Sequence, residues 1–191
     1  MLFLPRVIPD FNGDGYLPEG IYPCGDNGLF FHFVESFPEA ITREMIFDGF
    51  TRWRVEIRPL IKAIRQWVDG SFVTNKMNPH DVDVVSFCDT DYYNSLTKDD
   101  QDEIDRLLDG QRSTQSEYAT HSILILSAPL GHPEHRDSEI FRNHYRKWLA
   151  KTYVEDPVTG YRVETNQRKG FLEMTLGEEW AAPIISTERI E

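Results

Sequence analysis

Between residues 42 and about 66, Ile46, Phe47, Phe50, Trp53, Ile57, Leu60, Ile61 and Ile64 recur at intervals of three and four. That is the apolar stripe of an amphipathic helix. Pro59 lies inside the stripe and is expected to kink or restart the helix, because proline removes a backbone donor and its ring clashes with the preceding turn. Trp67-Val68-Asp69 then reads as a short strand. Val82, Val84, Val85 and Phe87 make a longer strand, apolar on both faces at its end, as inside a sheet covered by helices. Thr97, with Asp100 three residues on and an acidic first turn, is the N-cap of another helix, which Gly110 should end. Residues 111–117 read as a polar loop. Ser122-Ile123-Leu124-Ile125-Leu126-Ser127 is the most apolar strand, stopped by Pro129-Leu130-Gly131. Asp137 or Ser138 is expected to cap a further helix whose buried side comes from Ile140, Phe141, Tyr145, Trp148 and Leu149. Residues 156–160 read as a turn and residues 171–176 as a last strand. The first 28 residues, rich in proline, glycine and asparagine, read as an irregular arm laid over one domain of residues 29–191. The pattern therefore predicts an α/β (α+β) domain, a sheet flanked by helices.

Composition changes this picture mainly through charge. The chain has 191 residues and a formal net charge of −12, and a strongly acidic surface opposes the counterion release that drives binding to a polyanion. Extended nucleic-acid binding is therefore not expected; Arg136, Arg142, Arg146, Lys147 and Lys151 form the densest local basic run. No stretch is long and apolar enough to span a bilayer, and Met1-Leu2-Phe3-Leu4-Pro5-Arg6 is too short for a secretory signal. A cytoplasmic location without membrane insertion is the expectation. Two cysteines, Cys24 and Cys88, give no disulfide framework and read as structural thiols.

Chemistry concentrates in Asp69-Gly70-Ser71-Phe72-Val73-Thr74-Asn75-Lys76-Met77-Asn78-Pro79-His80-Asp81-Val82-Asp83. Alternate side chains of a strand share a face, so Asp81 and Asp83 project together. Paired carboxylates repel unless something positive lies between them, and magnesium suits the place because it takes oxygen ligands, often one or two carboxylates completed by substrate phosphates and water. Two other patterns carry less. Asp10-Phe11-Asn12-Gly13-Asp14-Gly15 imitates the start of a calcium loop, but the position of the bidentate glutamate holds Ile21 and Pro18 interrupts the loop. His132, His135 and His144 lack cysteines and a fourth ligand, so a polar loop leading into a helix is the better reading than zinc.

Gly70-Ser71, nine intervening residues and Asp81-Val82-Asp83 resemble the signature of the DNA polymerase β-like nucleotidyltransferase superfamily, in particular its small stand-alone members. The wider run, from Leu17-Pro18-Glu19-Gly20-Ile21 through Gly-Ser-Phe-Val to Lys169-Gly170-Phe171, is similar to a family of uncharacterised bacterial nucleotidyltransferase-like proteins. The resemblance implies a mixed sheet flanked by helices, Gly70 and Ser71 against the phosphates of an NTP such as ATP, and Asp81 and Asp83 on magnesium. Lys76 would help to hold the phosphates or else lie solvated in a turn. A third carboxylate of the superfamily falls near Tyr118-Ala119-Thr120-His121, where this chain offers His121; Asp89, Asp91 and Glu117 are alternatives.

The function so implied is a magnesium-dependent enzyme that transfers a nucleoside monophosphate from an NTP to a hydroxyl of a protein, small molecule or nucleotide. Small members often belong to toxin–antitoxin or phage-defence modules, with an operon-encoded protein partner. The alternative is a catalytically degenerate nucleotidyltransferase-like protein that binds nucleotide or neutralises a partner. A third reading is an unrelated α/β domain whose motif is accidental. Intact Asp81 and Asp83 favour the first, and His121 favours the second.

Overall fold

A computed structural model describes residues 8–61, 63–108 and 112–177. It is an α+β structure: a five-stranded mixed sheet with helices on both faces, plus a two-stranded hairpin. The sheet strands are β1 (Ile21–Pro23), β2 (Ala63–Asp69), β3 (Val82–Asp89), β4 (Thr120–Ser127) and β7 (Phe171–Gly177), in the spatial order β1-β7-β2-β3-β4. β2 runs antiparallel to both β3 and β7, whereas β1 pairs with β7 and β4 with β3 in parallel.

The helix expected over 42–66 is α2 (Arg43–Ile57), and it ends earlier than its stripe. Arg58–Leu60 forms a tight 3-10 turn around Pro59, and Ile64 belongs to β2. Proline stops the helix here rather than kinking it, and the apolar spacing continues by coincidence into a strand with a different period. The first 28 residues are not wholly irregular either. Ile21–Pro23 adds an edge strand to β7, where Pro23 is tolerated because an edge leaves one side unpaired, and α1 (Asp26–Phe30) follows.

Helices α3 (Thr90–Ser95), α4 (Lys98–Leu108) and α5 (Arg112–Tyr118) carry the chain from β3 to its parallel neighbour β4. Thr97 caps α4 as its sequence suggests: its hydroxyl accepts from the Asp100 amide at 3.2 Å and donates to the Asp100 carboxylate at 2.7 Å. Gly110, read as the stop of α4, lies outside the described residues. The loop expected at 111–117 is instead the helix α5, which packs on α2 and β4. Ala119 ends it with φ of 50°, a left-handed conformation that costs a residue bearing a Cβ roughly 1–2 kcal/mol. Ala119→Gly should therefore raise the thermal midpoint, by up to about 1 kcal/mol of stability after the entropy glycine gains in the unfolded chain; an unchanged or lower midpoint would show that the turn is unstrained.

One face of the sheet, with Ile64, Val68, Val82, Val84, Leu172 and Met174, packs against Ile46, Phe50, Trp53 and Ile57 of α2 and against α4. The indole of Trp53 donates to the Leu107 carbonyl at 2.6 Å and ties α2 to α4. The other face, with Trp67, Val85, Phe87, Ile123, Ile125 and Phe171, is covered by α6 (His135–Leu149) through Leu149, Tyr145 and Trp148. Ile140 and Phe141, expected on that buried side, are exposed instead. Neither Asp137 nor Ser138 caps α6, which begins after Glu134; Ser138 is buried and accepts from the Ala128 amide at 3.1 Å, pinning the helix to the end of β4. Residues 156–160 form the expected turn, joining β5 (Lys151–Glu155) to β6 (Arg162–Arg168).

Candidate active site

The motif residues gather where β2 ends and β3 and β4 begin. Asp69 faces Asp83 across the antiparallel β2–β3 pair, and Asp83 faces His121 across the parallel β3–β4 pair. Directly paired residues point to one side of a sheet, so these three form a row across three strands. The row continues the face of Trp67, Val85 and Ile123, one step beyond the core under α6. Asp81 precedes β3, and its carboxylate accepts from the side-chain amide of Gln115 on α5. The helix that sequence reading leaves as a loop thus contributes to the site.

Burial divides the row. At one end Asp69 and Lys169 form an ion pair with side chains 4% and 8% exposed; at the other, Asp83 and His121 are 23% and 31% exposed. The solvated end is the one that can meet a ligand. There His121 Nδ1 is 2.8 Å from Asp83 Oδ1. A carboxylate only accepts, so Nδ1 carries the proton of this hydrogen bond and the lone pair of the neutral ring falls on Nε2. Burial pushes the Asp69 carboxyl upward and the adjacent Lys169 ammonium partly offsets it, with Asp83 raising it further. Asp69 Oδ2 receives Lys169, while Oδ1 is buried without a hydrogen-bond partner among the described residues.

Gly70 follows β2 with φ of 85°, in the left-handed region that glycine enters freely. A Cβ here would come within 2.6 Å of Asp83 Oδ2 and 3.1 Å of the Asp83 amide nitrogen. The close approach that the bare backbone permits is thus to Asp83, not in the first instance to a ligand. Gly70→Ala should lower stability by roughly 1–2 kcal/mol from the backbone alone and move Asp83 off His121. Nuclear magnetic resonance of the His121 ring would show that movement, and an unchanged ring signal would contradict it. Ser71, half-buried at the start of a 3-10 turn, offers the hydroxyl next to this point without that clash.

The segment after Ser71 is held by Arg43, which sequence reading does not single out. Its guanidinium is buried and donates to the carbonyls of Phe33, Phe72, Thr74 and Lys76 at 2.6–2.8 Å, and it lies 3.8 Å from the centroid of the Phe37 ring. Burial lowers its pKa to about 10, which leaves it charged at neutral pH. Lys76 therefore contributes its carbonyl to a buried staple while the residue itself is exposed.

Among the described residues no group of three or more His, Cys, Asp or Glu is arranged as a metal cage. Magnesium does not need one, since one or two carboxylates, substrate phosphates and water suffice. Asp81, just before β3, and Asp83, within it, supply carboxylate oxygens of that kind at one end of the sheet, where Asp69 Oδ1 is buried without a hydrogen-bond partner among the described residues. The other candidates lie elsewhere. Asn12 closes the loop that imitates a calcium site, accepting from the amides of Asp14 and Tyr16 at 3.0 Å. His132 approaches Asp91 at 3.3 Å, His135 bonds the Ala128 carbonyl and His144 meets the Tyr145 ring edge-to-face. Asp89 caps α3 through the Tyr92 amide, and the thiol of Cys88, buried within β3, is pushed up to about 11. Arg142 and Lys151 of the basic run are engaged with Glu139 and Glu164. No described helix is long and apolar enough to cross a membrane.

The fold and site define an α+β protein with a glycine-serine turn set against a row of acidic and imidazole side chains. Residues 9–175 match the model of DUF6932, described as a family of unknown function, and the chain belongs to that family. No curated protein and no solved structure matches the chain.

Proposed function

We propose that this protein is a magnesium-dependent nucleotidyltransferase of the DNA polymerase β-like type, moving a nucleoside monophosphate from an NTP to a hydroxyl acceptor. One observation carries the reading: Asp83 of the Asp-x-Asp motif stands against the Gly70 turn on one side and His121 on the other, so phosphate, metal and base positions would coincide at the solvated end of the row. Ser71 and the backbone after Gly70 would hold the phosphates, with the loop fixed by Arg43. Asp81 and Asp83 would hold magnesium, which when bound neutralises charge on the phosphates and the leaving pyrophosphate.

The acceptor oxygen would attack the α-phosphorus, and the bond from that phosphorus to the bridging oxygen of the β-phosphate would break. The hydroxyl proton would go to His121 Nε2, and Asp83 would stabilise the resulting imidazolium through Nδ1–H. Positioning and electrostatics supply most of the rate in such a reaction. The second reading, a degenerate binder, is favoured by the histidine at the place of a carboxylate. Labelled NTPs with magnesium test the two: the enzyme releases pyrophosphate and labels an acceptor, the binder retains nucleotide unchanged, and a chain that binds no nucleotide is neither.

A further inference from the structure

Asp69 and Asp83 face each other across β2 and β3, Asp81 lies just before β3 at the same end of the sheet, and a cation is built in beside Asp69. Lys169 is 100 residues from Asp69 in sequence, yet its ammonium bonds Asp69 Oδ2 in a buried pair. The lysine is held in place on both sides. Its own amide donates to the Ala150 carbonyl at 2.9 Å and that of Gly170 donates to the Leu17 carbonyl at 3.0 Å; Gly170 is pressed so close to Pro18 that a Cβ would lie 2.3 Å from its carbonyl oxygen. With its main chain tied on both sides and its side chain buried, Lys169 keeps its ammonium at Asp69. A divalent cation at Asp69 would be repelled by it at short range and in poor solvent screening.

We propose that Lys169 is the site's resident counter-cation, occupying through Asp69 the place a second divalent ion would take, so that the site accepts one such ion, at Asp81 and Asp83. This deepens the nucleotidyltransferase reading and rests on it for the first ion. Removing the lysine frees Asp69 Oδ2 beside Oδ1, which is buried and has no hydrogen-bond partner among the described residues. Lys169 and Asp69 act as positioning residues; neither is placed against the reacting atoms.

The test counts manganese bound per chain by electron paramagnetic resonance, with Mn²⁺ alone and with a non-cleavable ATP analogue. Wild type, Lys169→Met and the double variant Asp69→Asn/Lys169→Met are compared, with thermal midpoints in and out of Mn²⁺. Wild type should bind one ion with the analogue. Lys169→Met should bind a second, or bind Mn²⁺ at least about tenfold more tightly, and regain thermal stability when Mn²⁺ is added; the double variant should do neither. Two ions in wild type, or no gain in Lys169→Met, overturns the assignment. If Lys169→Met does not fold, the wild-type count decides alone: one ion upholds and two overturn. A wild type that binds no Mn²⁺–nucleotide, beside a Lys169→Met that gains an Asp69-dependent ion, would sink the nucleotide reading and leave the role of Lys169 standing.

Discussion

Arg43→Met is expected to cost on the order of 3–5 kcal/mol of folding stability and to release residues 72–76 from the body of the protein. Methionine keeps much of the apolar stem, so packing is not the main loss. The stacking of the guanidinium on Phe37 is worth about 0.5–2 kcal/mol. The larger part comes from the four carbonyls of Phe33, Phe72, Thr74 and Lys76, since each buried acceptor left without a donor costs about 1–3 kcal/mol, less where water enters. Arg43→Lys should recover little, because one ammonium cannot reach four acceptors set around a planar fork. Urea denaturation gives the magnitude, and amide exchange at residues 72–76 shows whether the loss is local. A variant as stable as wild type, with the same protection in that loop, would mean the loop is held by other contacts.

Asp83→Asn is expected to abolish magnesium-dependent NTP affinity and to lower turnover at least about 10²-fold, with the fold retained. Asparagine has nearly the same shape and can still accept from His121 Nδ1, so the substitution removes charge more than geometry. Asp81→Asn should have a similar effect on binding, and Ser71→Ala a smaller one. His121→Ala separates the two functional readings. A general base is worth about 10²–10⁴-fold, so an enzyme that uses the imidazole loses that factor. A degenerate binder is inactive to begin with, and His121→Asp is the change that would give it weak transfer. Pyrophosphate release by these variants, beside calorimetry of NTP with magnesium, measures both effects.

Much of the site is legible in the sequence because its signals are local. The Gly-Ser pair marks a turn whose positive φ at Gly70 no other residue type adopts cheaply, whereas Asp81, expected to share a strand face with Asp83, lies before β3 and bonds Gln115. What lies across strands is not legible. The pairing of Asp69 with Asp83 depends on the length of a turn that propensity does not fix, and Lys169 reaches Asp69 only because β7 inserts between β1 and β2. Arg43 looks like any charged first-turn residue until the loop folds over it. Gln115 escaped because a run of polar residues reads as a loop, whereas α5 is formed by packing Thr114 and Tyr118 under β4 and α2. Ile140 and Phe141 show the reverse error: helical spacing marks a possible apolar stripe, but the sheet under α6 is filled by Leu149, Tyr145 and Trp148.

The central claim is that the Asp81–Asp83 pair, next to the Gly70 turn and His121, binds a nucleotide with magnesium and transfers its nucleoside monophosphate. Its most direct test is pyrophosphate release from each labelled NTP by wild type and Asp83→Asn, in magnesium and in chelator. The account predicts release by wild type in magnesium, none in chelator and none above background for Asp83→Asn. Equal release by both proteins, or release that survives chelation, would contradict it.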